Sequence, residues 1–457
     1  MTTFNRCIVG ALLLAVTPTY PVQSADSLID RELAQRHRTE KIEPASVCDD
    51  STFLRRLTLD LMGRVPTVDE LDDFLKHPDR PAAVERLLAD PEHPQFWSQL
   101  WTMMLVGRTQ QQRVETEVLR RWLEDQLTRG VPIDQVAFDL ISAQGVTSID
   151  GPVNYVVANR DDPVMRLSRT FLSVQLDCAE CHDHPNDRWT NQDYVAMERF
   201  FEPLSLREVS GGIAVTDLGV GRREDVPVFL TGRKPQTAAW RRELAWMVVQ
   251  SKPFSRAMVN RTWHWLMGRG LVDPVDGWTR ENKGSAPQLL EDLAADFRRS
   301  DFQLRALIQR ICLSDAYQRQ PIQGDAKPTE KAESMRRLFA ARTVRPLVPE
   351  QWLMSVAQVL DRPLPSPVEL TEQSRRLLGL NPGSQSAGDP YDWTANTQTL
   401  IRQLSGDVPP PLRDLQAMYR ATLARDPTSD ERVLAERYSS QSILFALVHC
   451  NEFVMND

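Results

Sequence analysis

Apolar residues recur at three- and four-residue intervals along most of this chain, and that period predicts helix. The clearest case is STFLRRLTLDLMGRVPTVDELDDFL, where Phe53, Leu54, Leu57 and Leu61 fall on one stripe. Gly63 is placed to close that helix and Pro66 follows. Thr67 and Glu70 form a capping box that starts the next helix. The same device returns near the far end: Arg64-Val-Pro-Thr-Val-Asp-Glu70 matches Arg425-Asp-Pro-Thr-Ser-Asp-Glu431. Each copy follows an amphipathic segment, so the two ends of the chain share a building block. PQFWSQLWTMMLVG and TEVLRRWLEDQL continue the helical pattern.

In NRDDPVMRLSRTFLSVQLDCAE, Asp162 is the expected N-cap and Pro163 the first helical residue. Its stripe is Val164, Leu167, Phe171 and Val174. Thr190 and Asp193 cap a further helix carrying Tyr194, Met197, Phe200, Phe201 and Leu204. Residues 26–50 are polar and without clear period. The pattern breaks again in 209–235, where Gly-rich turns separate two strand-like runs, GIAVTDL and VPVFL. A second helical region runs from Ala238 to about Gln320, a Pro/Gly/Ser-rich excursion occupies 364–397, and helix resumes from Pro411. The expected fold is mostly α: two helical domains, 45–206 and 238–457, joined by a short β-hairpin-containing linker, 207–237.

The N-terminal residues MTTFNRCIVGALLLAVTPTYPVQSAD are read separately. Arg6 precedes an apolar run from Cys7 to Val16, Val22-Gln-Ser24 offers small residues for cleavage, and no acid appears before Asp26. This is the pattern of a secretory signal peptide over 1–24, too short for a membrane span. The expected mature protein is exported, to the periplasm or cell surface, and spans no membrane. Hydrophobic residues make up 41% and charged residues 25%, which suits a globular protein. The formal net charge of −8 argues against nucleic acid as a partner.

One stretch concentrates chemistry: VQLDCAECHDHPNDRW, Val174 to Trp189. With 6 Cys and 7 His in 457 residues, chance is a poor account of Cys178-Ala-Glu-Cys181-His182. C-x-x-C-H is the c-type haem attachment pattern. Two thiols one turn apart reach the two vinyl groups of one haem, and the following His ligates iron. In that reading Cys178 and Cys181 attach haem c and His182 is the axial ligand, with Met197, Met165 or His184 as the sixth ligand. In a second reading Cys178, Cys181, His182 and His184 hold zinc, helped by a remote donor such as Cys48, His264 or His449. Asp183 or Asp187 would then orient an imidazole. In a third, the cysteines brace the loop. Five cysteines, Cys48, Cys178, Cys181, Cys312 and Cys450, lie beyond the signal segment, too few for a disulfide scaffold.

A second motif runs from Asn260 to Gly270, NRTWHWLMGRG. Asn260, Arg261, Trp263 and Arg269 are candidates for a groove taking a glycan or an acidic ligand. The simpler alternative is a buried Arg–Asp network with Asp273 and Asp276. No G-x-S-x-G, H-E-x-x-H or phosphate-binding loop is present.

Three long segments carry a family resemblance: DDSTFLRRLTLDLMGRVPTVDELDDFL, FLSVQLDCAECHDHPNDRWTNQDYVAMERFF and RRELAWMVVQSKPFSRAMVNRTWHWLMGRGLVDPVDGW. Together with the closing SILFALVHCNEFVMND, they resemble the second cytochrome-associated domain of exported planctomycete proteins followed by the planctomycete-specific domain. The resemblance covers most of 45–455. It implies an exported protein, often encoded with or fused to cytochrome c domains, and it implies no particular reaction; periplasmic or cell-surface cytochromes are the expected partners. Many relatives carry a separate cytochrome c domain with its own C-x-x-C-H; here Cys178–His182 is the only copy. The expected function is thus a c-type haem or cytochrome-associated electron-transfer protein, or alternatively a zinc-stabilised binding or scaffold module with no redox role, with glycans as its candidate ligand.

Overall fold

The structure, a computed structural model, describes residues 27–108, 113–185, 187–218, 226–322, 329–378, 412 and 414–456. The expected signal segment 1–24 and most of the Pro/Gly/Ser-rich excursion lie outside them. The chain is mostly α-helical, with two small antiparallel sheets.

Its centre is helix Asp50–Met62. The Asp49 carboxylate caps it by accepting from the Thr52 amide at 2.8 Å, and Gly63 closes it in the left-handed conformation. A Cβ at Gly63 would stand 2.4 Å from the Phe96 ring, so only glycine fits that corner. The sequence pattern marks one apolar stripe, but every residue from Phe53 to Met62 is buried. The reason is that helices Arg80–Ala89 and Glu92–Val106 cover part of it, and distant chain covers the remainder.

The polar members of this helix are met by that distant chain. Asp60, fully buried, accepts from Arg345 at 2.7 Å, Asn456 at 2.7 Å and Tyr317 at 2.8 Å, and Arg342 stands at 3.6 Å. Arg55 donates to the carbonyls of Glu452, Phe453 and Met455 at 3.0–3.1 Å. Arg56 donates to the carbonyls of Tyr317 and Arg319. These pairings offset part of the cost of taking the charges out of water. Strand Met455–Asn456 pairs antiparallel with Arg345–Pro346 beside this hub.

Three local expectations are corrected. Residues 26–50, read as irregular, contain helix Leu28–Glu40, which buries only Ile29, Leu33 and His37. A three-residue stripe among charged neighbours is too faint to read as a period. Leu204, assigned to a helix, opens a strand, because helix Asn191–Glu198 tightens into a turn over Arg199–Phe201 and Pro203 follows. VPVFL is not a strand: Pro227 has no amide to offer a ladder. Its Val228 amide bonds Ala196, and Phe229 is buried. The hairpin is instead Leu204–Val209 with Gly212–Asp217, and Gly145–Val146 joins it as the third strand.

Candidate functional site

The C-x-x-C-H residues sit on a short platform clamped at both ends. Helix Pro163–Leu167 starts where Asp162 accepts from the Met165 amide at 2.9 Å. It widens into a π-helical turn over Ser168–Leu172 and stops at Ser173, whose φ of 53° is left-handed. The predicted stripe Val164, Leu167, Phe171 and Val174 is buried throughout. The chain then turns again as a 3₁₀ helix over Asp177–Glu180.

In a 3₁₀ turn positions i and i+3 eclipse. Cys178 lies in this turn and Cys181 is the residue that caps it three positions on, and both are exposed free thiols. Ala179, fully buried, anchors the turn from below. Asp177 is held by Arg169, which also reaches Asp276 at 3.0 Å; Gln175 donates to the same Asp276 at 3.0 Å. The hydrogen bond that Arg169 donates to the Asp177 carboxylate raises the Arg169 pKa. On the other side, the Asn191 side chain donates to the carbonyls of Ala179 and Glu180 at 3.1 and 2.7 Å. The His184 amide donates to Trp189 O at 2.8 Å and pins the loop. Thr190 and Asp193 form the expected capping box for helix Asn191–Glu198.

His182 is exposed, with Nδ1 2.8 Å from the Asp183 carbonyl oxygen. A carbonyl accepts, so Nδ1 carries the proton and Nε2 keeps its lone pair for a ligand. Asp183 orients the imidazole through its backbone, while its carboxylate accepts from the Asn191 amide at 3.0 Å. Asp187 accepts from the Arg188 amide. His184 is half-buried in the same loop.

Two exposed thiols on one tight turn, followed by an imidazole with Nε2 available, fit covalent haem attachment. Of the candidate sixth ligands, Met197 is fully buried, whereas Met165 and His184 retain accessible surface. For zinc, no group of three or more His, Cys, Asp or Glu among the described residues is arranged to hold a metal ion. Cys48 is buried where Arg80 donates to its carbonyl at 2.7 Å, His264 belongs to helix Lys252–Met267, and His449 has Nδ1 2.7 Å from Phe445 O.

The second motif has a structural explanation. Asn260 is buried, donating to Val272 O at 2.8 Å and Val275 O at 3.1 Å and accepting from the Val272 amide at 3.0 Å. Trp263 is fully buried, edge-on to Phe339. Arg261 donates to Thr170 O at 2.9 Å, and burial pulls its pKa down to about 10. Arg269 pairs with Asp273 at 3.4 Å and with Glu333. Asn260, Arg261, Trp263 and Arg269 therefore share no groove. Arg261 and Asp276 instead hold the underside of the C-x-x-C-H platform, a link the linear pattern did not reveal.

Residues 28–205 match the family described as PSCyt2, protein of unknown function (DUF1549), and residues 240–374 match PSD1, protein of unknown function (DUF1553). No curated protein and no solved structure matches the chain.

Proposed function

The chain belongs to the family that joins a PSCyt2 domain to a PSD1 domain, and from that premise we propose that it is an exported redox protein carrying haem c. Cys178 and Cys181 would hold the macrocycle by thioether bonds, and His182 Nε2 would ligate the iron. When bound, the group supplies reversible one-electron transfer. The supporting observation is the 3₁₀ turn that presents both free thiols outward, directly before an imidazole whose Nδ1 is engaged.

The surrounding residues have defined tasks in this reading. Arg169 and Asn191 hold the turn rigid from opposite sides, so attachment requires little rearrangement. The Asp183 carbonyl keeps the imidazole in one tautomer. Exposure of the turn would leave a haem held there accessible to another exported cytochrome, the partner class proposed for it.

The test is expression in cells with c-type maturation machinery. The exported protein should be coloured, its colour should survive denaturation and acid–acetone extraction, and its mass should rise by one haem. Cys178→Ala with Cys181→Ala should abolish the covalent link. His182→Ala should keep much of the link and alter the iron spectrum. A colourless protein holding one zinc and destabilised by chelator would replace haem with the zinc reading. A colourless, metal-free protein of unchanged stability would overturn both.

A further inference from the structure

A cleft opens where the two domain matches meet the segment between them. Leu172 to Val174, Arg188 and Trp189 come from the first domain, Phe229 to Thr231 from the connecting segment, and Pro253, Arg256 and Trp278 from the second. Its volume is about 110 Å³. A closed cavity of ~150 Å³ holds a benzene molecule; this cleft is smaller but open, with exposed Thr231 at its rim, so it takes the leading part of one ring and leaves the remainder at the mouth.

Three of its polar groups lack partners: the Ser173 hydroxyl, the Trp189 Nε1–H and the Arg256 Nε–H are each buried, with no hydrogen-bond partner among the described residues. Trp189 itself is 7% exposed and Ser173 4%. Indole and guanidinium nitrogens donate only, and a buried donor left unmade is costly, so each such group calls for an acceptor. Cations flank the site: the Arg188 guanidinium lies 4.2 Å from the Trp189 ring centroid and that of Arg256 lies 4.8 Å from the Trp278 centroid. Glu291 pairs with Arg256 and offsets part of that charge. Asn260 and Thr231 also line the cleft, the Asn260 amide already donating to Val272 O and Val275 O, and Phe229, Leu172, Val174 and Leu290 supply its apolar wall.

Donors without acceptors, flanking guanidiniums and flat aromatic walls select one chemistry. We propose that the cleft binds the carboxylate-bearing ring of a small organic acid, with the ring between the aromatic walls and the carboxylate accepting from Trp189, Arg256 and Ser173. Cys178 and Cys181 do not line the cleft, so the inference stands apart from the haem reading.

The probes are 4-fluorobenzoate and glucuronate, titrated into the full chain and followed by ligand-observed NMR, with 4-fluorobenzyl alcohol as the ring without its carboxylate. At least one acid should bind saturably, and the alcohol should bind far more weakly. Preference for the benzoate identifies an aromatic acid, and preference for glucuronate a sugar acid. Trp189→Phe keeps a ring and removes the N–H; it should weaken binding about tenfold, the effect of one lost hydrogen bond. Thr231→Trp, at an exposed position on the rim, should block the cleft without disturbing the core. Cys178→Ala with Cys181→Ala should leave acid binding unchanged. No saturable binding of either acid, equal binding of the alcohol, or wild-type affinity in both Trp189→Phe and Thr231→Trp would overturn the proposal.

Discussion

His93 is a histidine that folding keeps neutral. It lies in the core, its Nδ1 3.1 Å from Leu61 O and its ring 5.5 Å from Trp97. Burial pulls its pKa from 6.5 down to about 4. Burial also lowers the pKa of His37 and His264. A folded pKa below the unfolded one means that the unfolded chain binds more protons between those values. The stabilisation is therefore complete above pH 6.5 and is lost as pH falls toward 4. His93 alone should cost about 2 kcal/mol between pH 7 and pH 5. Urea unfolding at the two values measures this, and His93→Gln should remove most of the difference attributable to that site. Equal midpoints for the wild-type protein at pH 7 and pH 5 would refute the account. At the candidate site a different histidine, His182, is exposed, and its tautomer is set by one carbonyl.

The repeated helix corner carries the same bonds in both copies. Arg64 donates to Val65 O, to Glu70 at 2.8 Å and to Glu92 at 2.8 Å. Arg425 donates to Asp426 O, to Glu431 at 2.9 Å and to Glu452 at 2.6 Å. The preceding helix ends left-handed in each, at Gly63 and at Ala424. Burial distinguishes the copies: the Arg64 side chain is 6% exposed and that of Arg425 31%. Arg64→Met should thus cost about 2 kcal/mol, and Arg425→Met less than about 1 kcal/mol, both read from urea midpoints. Equal losses would show that burial does not set the difference. Such corners are legible in sequence because a capping box is written within four residues. Helix Leu28–Glu40 was not, since three buried residues make no clear stripe. The same limit applies at the site. Cys178, Cys181 and His182 are contiguous and announce themselves, whereas the Arg169–Asp276 clamp joins residues 107 apart. The cleft of Ser173, Trp189 and Arg256 exists only once three segments have packed together.

Across the whole molecule, the two matched domains are tied through one helix. Asp60 and its neighbours on Asp50–Met62 are completed by Tyr317, Arg342, Arg345 and residues 452–456. Trp352 adds an indole bond to Val448 O at 3.1 Å. Unfolding should therefore be a single transition, coincident by far-UV circular dichroism and by tryptophan fluorescence. Two separated transitions would show that the domains are energetically independent. The Arg55 bonds to Glu452, Phe453 and Met455 also impose an order in time. Ribosomes add about 5–20 residues per second, so the central helix is made tens of seconds before the carbonyls that receive Arg55. Tyr317 and Arg345, which donate to Asp60, are made earlier in that interval, whereas the carbonyls that receive Arg55 and the Asn456 amide that donates to Asp60 arrive last. The central helix is thus obliged to wait for the end of the chain before its last polar partners exist, so the hub closes only when synthesis is complete.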